Sequence, residues 1–363
     1  MSLMPQTPLH SEHARLGASF TDFGGWEMPV RYTSDLAEHE AVRTGAGLFD
    51  ISHMAEIFVS GPQAAGFLDY ALVIQSSLIA IGKAKYALIC NAQGGIIDDL
   101  IVYRIADDEF LIIANAGNRF EVVEALKQRA MFLGFVGVED KSDDFALLAV
   151  QGPKATTLLQ TRTTTDLESL PYYSIASGKL DGLDVFFCRT GYTGEDGFEV
   201  LVKSLDAVKL FNNLLDLGIT PCGLAARDTL RLEAGMPLYG HELSLAVNPY
   251  QAGLGRVVKL DRDEDFVGKS ALTALKDQQP KSVLVGLGGT GKRAARADYQ
   301  IFSGDTLIGQ VTSGALSPTL GYPVAMGYVS KDFAELGSVV EVDIRGTRLA
   351  MTVVKLPFYK RSK

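Results

Sequence analysis

The stretch KYALICNAQGGIIDDLIVYRIADDEFLIIAN, Lys85 to Asn115, carries the reading of this chain. Three runs rich in Ile, Val, Leu, Tyr and Phe are separated by NAQGG (91–95) and ADDE (106–109). Turn-forming residues between β-favouring runs predict an antiparallel meander, with strands over 85–91, 96–105 and 110–115. Two adjacent carboxylates, Asp98 and Asp99, interrupt the middle strand. An unpaired buried charge is costly, so such a pair inside an apolar strand needs a reason. Strand alternation places Asp99, Ile101 and Tyr103 on one side and Asp98, Leu100 and Val102 on the other. One carboxylate is therefore expected in a cavity beside Tyr103, with Tyr86 and Asn115 of the neighbouring strands on the same wall. The plainer alternative is a strand-end Asp pair that satisfies turn amides near Gly94 and Gly95.

Outward from the meander, helices are expected over 34–47, with Ser34 as N-cap, over 61–74, over 118–134 and over 205–218, the last closed by Gly218. Further strands are expected over 145–150 and 183–190. Strands and helices mix without regular βαβ alternation, which makes the class α+β. After about residue 275, short β-rich runs with Gly and Pro between them suggest a separate small barrel or sandwich, entered through a linker at 277–281.

The chain has 363 residues, enough for two or three sub-domains. Lys and Arg total 34 against 43 Asp and Glu, a formal charge of −9, so a nucleic-acid partner is not expected. No apolar run is long enough for a membrane helix, and the N-terminal residues lack the pattern of a signal peptide. Cys90, Cys188 and Cys222 form no CxxC pair. The expected setting is the reducing cytoplasm, with no structural zinc. The five histidines form no HExxH and are read as structural. GLGGTG (286–291) fits both a dinucleotide fingerprint and most of a P-loop. It lacks the βαβ context of the first and the Ser or Thr of the second, so it is read as a glycine-rich hairpin loop.

Two more strings bear on chemistry. CRTGYTGEDGFEV (188–200) reads as a hairpin whose glycines permit close backbone approach by a ligand. In it, Glu199 alternates away from Phe198 and Val200 and is able to accept from a planar amidine-like edge. GLAARDTLRLEAGMPLYGHEL (223–243) is read in two ways. Asp228, Arg231 and Glu233 make local ion pairs with Arg227, or Arg227 reaches a ligand carboxylate or carbonyl through its planar fork.

Taken together, these strings resemble the aminomethyltransferases (T-proteins) of the glycine cleavage system. The landmarks are FGGWEMPVRY (23–32), GLFDISHM (47–54), GGIIDDLIVY (94–103), QGP (151–153), GYTGEDGFE (191–199), GLAARDTLRLEAGMPLYG (223–240), DFVGKSAL (265–272) and TSGALSPTLG (312–321). The resemblance implies a three-domain cloverleaf around a central folate cavity, with a C-terminal β-barrel-like domain. The expected segments are 1–50 with 134–220, 51–133 with 221–276, and 277–363. It implies transfer of the methylene carbon of the aminomethyl group on the lipoyl arm of H-protein to tetrahydrofolate, with release of ammonia and formation of 5,10-methylenetetrahydrofolate. No metal, flavin or NAD is implied.

By match to the family pattern, Asp99 takes the catalytic position, and Tyr86, Tyr103, Asn115, Tyr192, Glu199 and Arg227 resemble the folate contacts. The family's additional C-terminal contact has no clear counterpart in Arg361-Ser362-Lys363. The alternatives within the same fold are a folate-dependent demethylase and a non-enzymatic folate-binding protein. A flavin domain, and the Lys-Gly-Cys-Tyr motif of the non-enzymatic relatives, are not found.

Overall fold

A computed structural model describes residues 4–131 and 134–361. Parts of the N-terminal, 118–134 and C-terminal readings fall on residues 1–3, 132–133 and 362–363, which lie outside the described residues. The chain forms two compact units, one from Met1–Ala87 and Asp99–Arg227, the other from Leu88–Asp98 and Asp228–Lys363.

The first unit holds the two-stranded sheet Ser19–Phe23 with Trp26–Arg31, a six-stranded sheet, and most of a five-stranded sheet whose residues 88–98 belong to the other unit. The six strands run in the order Ile175–Leu180, Leu183–Cys188, Gly197–Lys203, Phe145–Gln151, Gly47–Asp50, Thr220–Pro221. Its core side carries Leu148, Val150, Phe187, Phe198 and Val200. Against these pack Leu210, Phe211 and Leu214 of the helix Ala207–Asp216, one apolar stripe at helical spacing. Gly218, at φ 79°, follows that helix, as the sequence suggests.

The five-stranded sheet holds the meander, in the order Ala84–Cys90, Ile96–Ala106, Glu109–Ala114, Ala55–Ser60, Gly137–Asp140. Each expected strand is present, shifted by a residue or so at its ends. The register Leu100↔Ala114 and Tyr103↔Leu111 sets the faces. Phe58 of this sheet stacks on Phe145 of the six-stranded one at 5.7 Å, so the two sheets share buried surface. The helices expected over 34–47, 61–74 and 118–134 are shorter, at Asp35–Thr44, Ala64–Ala71 and Arg119–Ala130. Ser34 stands at the N-cap position of the first without a side-chain capping bond.

In the second unit the six strands Ser282–Gly289, Pro323–Ser330, Thr306–Leu316, Gln300–Ser303, Val339–Ile344 and Thr347–Val354 close into a barrel. Leu287, Ile301, Val311, Val329, Val342 and Val353 are among the side chains of its core. The barrel expected after residue 275 is therefore present, within an α+β chain. The expected linker at 277–281 is partly helical, because Lys269–Gln278 runs into it.

The glycine-rich hairpin loop expected at 286–291 is corrected for 286–289, while Gly291, at φ 76°, lies beyond the strand as expected. Gly286, Gly288 and Gly289 lie inside the strand Ser282–Gly289, Gly286 and Gly288 paired on both sides and Gly289 with Met351. A Cβ on Gly286 would stand 2.8 Å from Leu356 Cδ2 and 3.0 Å from Val354 O, so the residue is small for close packing rather than for a turn. Among the described residues no helix is long and apolar enough to cross a membrane.

Candidate active site

The meander delivers one wall of the site. Burial alternates along Ile96–Ala106 with Asp98 buried and Asp99 half-buried, as period-2 geometry requires. Asp99 Oδ2 accepts from the Tyr86 hydroxyl at 3.0 Å, and its Oδ1 accepts from Asn115 Nδ2 at 2.9 Å. Asn115 Nδ2 also reaches the Asp99 carbonyl, at 3.1 Å, which fixes the amide between main chain and carboxylate. Burial, reinforced by the Asp99 charge, pushes the Tyr86 phenol well above its usual range, so Tyr86 is a proton donor to that carboxylate. The turn amides of Gln93 and Gly95 both donate to Asn91 Oδ1, which removes the plainer account of the Asp pair as a turn cap.

The second wall comes from the loop and strand at 189–199. Cys188 and Glu199 are cross-strand neighbours, and Phe198 and Val200 point into the apolar core, so Glu199 faces the other way. Its Oε2 accepts from Thr190 Oγ1 at 2.6 Å. Burial raises the pKa of Glu199, opposed by the Thr190 hydrogen bond and by the charge of Arg227. Two nearby glycines are packed tightly against their own sheet. A Cβ at Gly191 would collide with Gln151 Oε1, and one at Gly197 with the Val150 carbonyl. Gln151, itself buried, binds the Thr190 carbonyl at 3.1 Å and accepts from Thr193 Oγ1 at 3.0 Å, lacing the loop to its own sheet. Internal packing is thus one sufficient reason for glycine at Gly191 and Gly197.

Arg227 sits in the first turn of the helix Leu224–Glu233. That start is pinned because Gly223 lies against the Val30 main chain, where any Cβ would clash, and its amide donates to the buried Glu38 carboxylate at 2.8 Å. The guanidinium lies 5.1 Å from the Tyr192 ring and 5.9 Å from that of Phe49. Its Nη1 is buried with no hydrogen-bond partner. Burial lowers the pKa of Arg227, against the charges of Glu199 and Tyr192.

The reading of 223–243 as local ion pairs with Arg227 is therefore corrected. The pairs form on Arg231, to Asp228 at 2.8 Å and to Glu242 at 2.9 Å. Glu233 accepts from Ser317 and, at 2.7 Å, from Thr319.

The expected site residues thus fall into groups. Asp99, Tyr86 and Asn115 are hydrogen-bonded together, and Glu199, Arg227 and Tyr192 form a second set in the same unit. Tyr103 joins the second set, on the side of Glu199. It is fully buried, and its hydroxyl meets Thr190 Oγ1 at 2.6 Å.

Tyr173 escapes the sequence reading, and His53, read there as structural, lies within electrostatic reach of Arg227. Tyr173 has a left-handed backbone (φ 61°), held by hydrogen bonds from its N–H to the Arg189 carbonyl and from the Ala84 N–H to its own carbonyl. Its phenol is pushed up by burial, with Glu199 and Asp99 both contributing, so it lies within electrostatic reach of both carboxylates. The PYYS string around it has no distinguishing pattern. His53 is buried with Nδ1 unpartnered. Burial depresses its pKa to about 4, with Arg227 lowering and Asp50 raising it, so the imidazole is neutral at pH 7. Its place in GLFDISHM is the only sequence signal it carries.

A neutral imidazole, an unpartnered guanidinium nitrogen and two carboxylates make an arrangement suited to a polar, planar, partly anionic ligand. Among the described residues no group of three or more His, Cys, Asp or Glu side chains is arranged to hold a metal ion.

Comparison with known proteins agrees in both halves of the chain. The family described as GCVT N-terminal domain matches residues 9–262, and that described as Glycine cleavage T-protein C-terminal barrel domain matches 283–360. The chain is 53% identical to an aminomethyltransferase of Saccharopolyspora erythraea, over 100% of both chains. It is 43% identical to the aminomethyltransferase of Listeria innocua, again over 100% of both. The crystal structure of glycine cleavage system aminomethyltransferase T from Bartonella henselae matches with a TM-score of 0.91 at 37% identity, covering 99% of each chain.

Proposed function

The chain belongs to the glycine cleavage T-protein family, and from that premise we propose how its residues carry out the family's reaction. It is an enzyme, an aminomethyltransferase of glycine cleavage, and a user of folate. In our reading the donor is the aminomethyl group on the lipoyl arm of H-protein and the acceptor is tetrahydrofolate, in the cytoplasm. Ammonia, dihydrolipoyl H-protein and 5,10-methylenetetrahydrofolate are the products. The three-part division proposed from the sequence goes with this reading. The six-stranded sheet draws on 1–50 and 134–220 except for Pro221, and the five-stranded sheet draws on 51–133 except for Gly137–Asp140.

The donor carbon is already activated between nitrogen and sulfur, so the protein has to supply orientation, exclusion of water and a path for protons. Asp99, held by Tyr86 and Asn115, orients nitrogen 10 of the folate and takes its proton. Its charge favours a cationic one-carbon centre. Glu199 accepts from the 2-amino group and ring N–H of the pterin. Tyr86 and Tyr192 wall the ring, and Arg227 donates to a folate carbonyl or carboxylate.

The observation that carries this reading is the unpartnered, buried Nη1 of Arg227 close enough to Glu199 for each charge to act on the other. A buried cation with an unused donor is costly unless a ligand completes it. The test supplies aminomethyl-loaded H-protein and tetrahydrofolate and follows ammonia and methylenetetrahydrofolate together. Equal yields that require both substrates support the reading. Folate binding without either product redirects it to methylated donors.

A further inference from the structure

Behind Glu199 runs a chain of hydroxyls that the proposed reaction does not use. Tyr103 is fully buried on the strand Ile96–Ala106, and its hydroxyl lies 2.6 Å from Thr190 Oγ1. Thr190 donates in turn to Glu199 Oε2 at 2.6 Å. A threonine hydroxyl has one proton, so once it is given to Glu199 the Thr190 oxygen is an acceptor only. The Tyr103 proton then fills it. The polarity of the chain runs one way, from Tyr103 through Thr190 to a carboxylate, and each bond strengthens the next. A protonated Oε2 would reverse it and leave a proton unplaced at the buried end.

We propose that Thr190, held by Tyr103, is a positioning residue of the folate site, keeping Glu199 an ionised, orientated acceptor for the donor edge of the ligand. The inference rests on the folate reading for the ligand's identity, but the relay itself is a property of the ligand-free chain.

The surroundings of Glu199 make this support necessary. Cys188 faces it from the paired strand, Tyr103 from the meander, Tyr173 from the segment before Ile175–Leu180, and Arg227 from the helix Leu224–Glu233. Of these only Arg227 brings positive charge. Burial works against the anion, while Thr190 and Arg227 work for it. A hydrogen bond to a charged group contributes enough that its loss should raise the pH at which Glu199 gains a proton by about one to two units.

The experiment is infrared difference titration of the ligand-free protein, with the Glu199 carboxyl band identified by its absence in Glu199→Gln. Thr190→Val should titrate about one to two pH units above wild type. Thr190→Ser should return to the wild-type position, and Tyr103→Phe should shift the same way by less. A Glu199 band that titrates at the wild-type pH in Thr190→Val overturns the proposal. If Thr190→Val does not fold, Tyr103→Phe is judged by the same criterion.

Calorimetric binding of tetrahydrofolate across the same pH range separates the two levels. Wild type that fails to bind tetrahydrofolate refutes the folate reading while the infrared result still decides the relay. Wild type that binds, with a variant whose affinity falls at a correspondingly higher pH, supports both.

Discussion

Asp99→Asn removes one charge and almost no volume. Asn115 Nδ2, 2.9 Å from Oδ1, can go on donating to the new amide oxygen. The Tyr86 hydroxyl, 3.0 Å from Oδ2, can turn and accept from the new NH2. The wall therefore keeps its shape, and the loss of a charge-assisted bond costs about 1–2 kcal/mol of stability. The kinetic effect is larger. A carboxylate ~4 Å from a cationic centre, at an effective dielectric of ~20, stabilises it by about 4 kcal/mol. Each ~1.4 kcal/mol is tenfold in rate, so kcat should fall on the order of a thousandfold, while KM for tetrahydrofolate stays within several-fold. The assay is coupled release of ammonia and methylenetetrahydrofolate from aminomethyl-loaded H-protein. A variant with kcat within about threefold of wild type refutes the electrostatic and proton-accepting roles together, since neither survives loss of the charge.

Other expectations concern separate parts of the molecule. Arg227→Met should weaken tetrahydrofolate binding by about 10- to 100-fold in calorimetry, because it removes the unused donor Nη1. Glu56 is buried with neither carboxyl oxygen hydrogen-bonded, and burial raises its pKa well above the usual value. The folded chain thus keeps a proton that the unfolded chain releases above about pH 4.3. The cost of Glu56 is absent below that pH and grows as pH rises toward the folded pKa. Glu56→Gln should therefore raise Tm more at pH 8 than at pH 5, and an equal shift at both would refute the account. Gly286→Ala should lower stability by about 1–3 kcal/mol in thermal unfolding, since its new methyl meets Leu356 and the Val354 carbonyl.

The meander was legible because strand alternation is a local property of backbone stereochemistry. Once 85–115 reads as three strands, Tyr86 and Asn115 can share a face with Asp99, which the cross-strand register then fixes, and Glu199 must turn away from Phe198 and Val200. The β-rich run after residue 275 was legible for the same reason. The glycines were not. A missing Cβ serves a turn and a tight contact equally well, and only the pairing of Gly286 and Gly288 on both sides, with Leu356 against Gly286, distinguishes them.

Nor could spacing assign the partners of charged and hydroxyl groups. Arg227 and Arg231 lie one helical turn apart among the same acids, yet Asp228 and Glu242 go to Arg231 and Arg227 keeps a bare donor. Tyr103 has the alternation of a cavity residue but is drawn to Thr190, 87 positions away. Periodicity specifies which way a side chain points from its own element. What it meets there depends on which distant segment the closed chain brings opposite, and for Tyr103, Thr190 and Glu199 that was settled by the packing of two sheets.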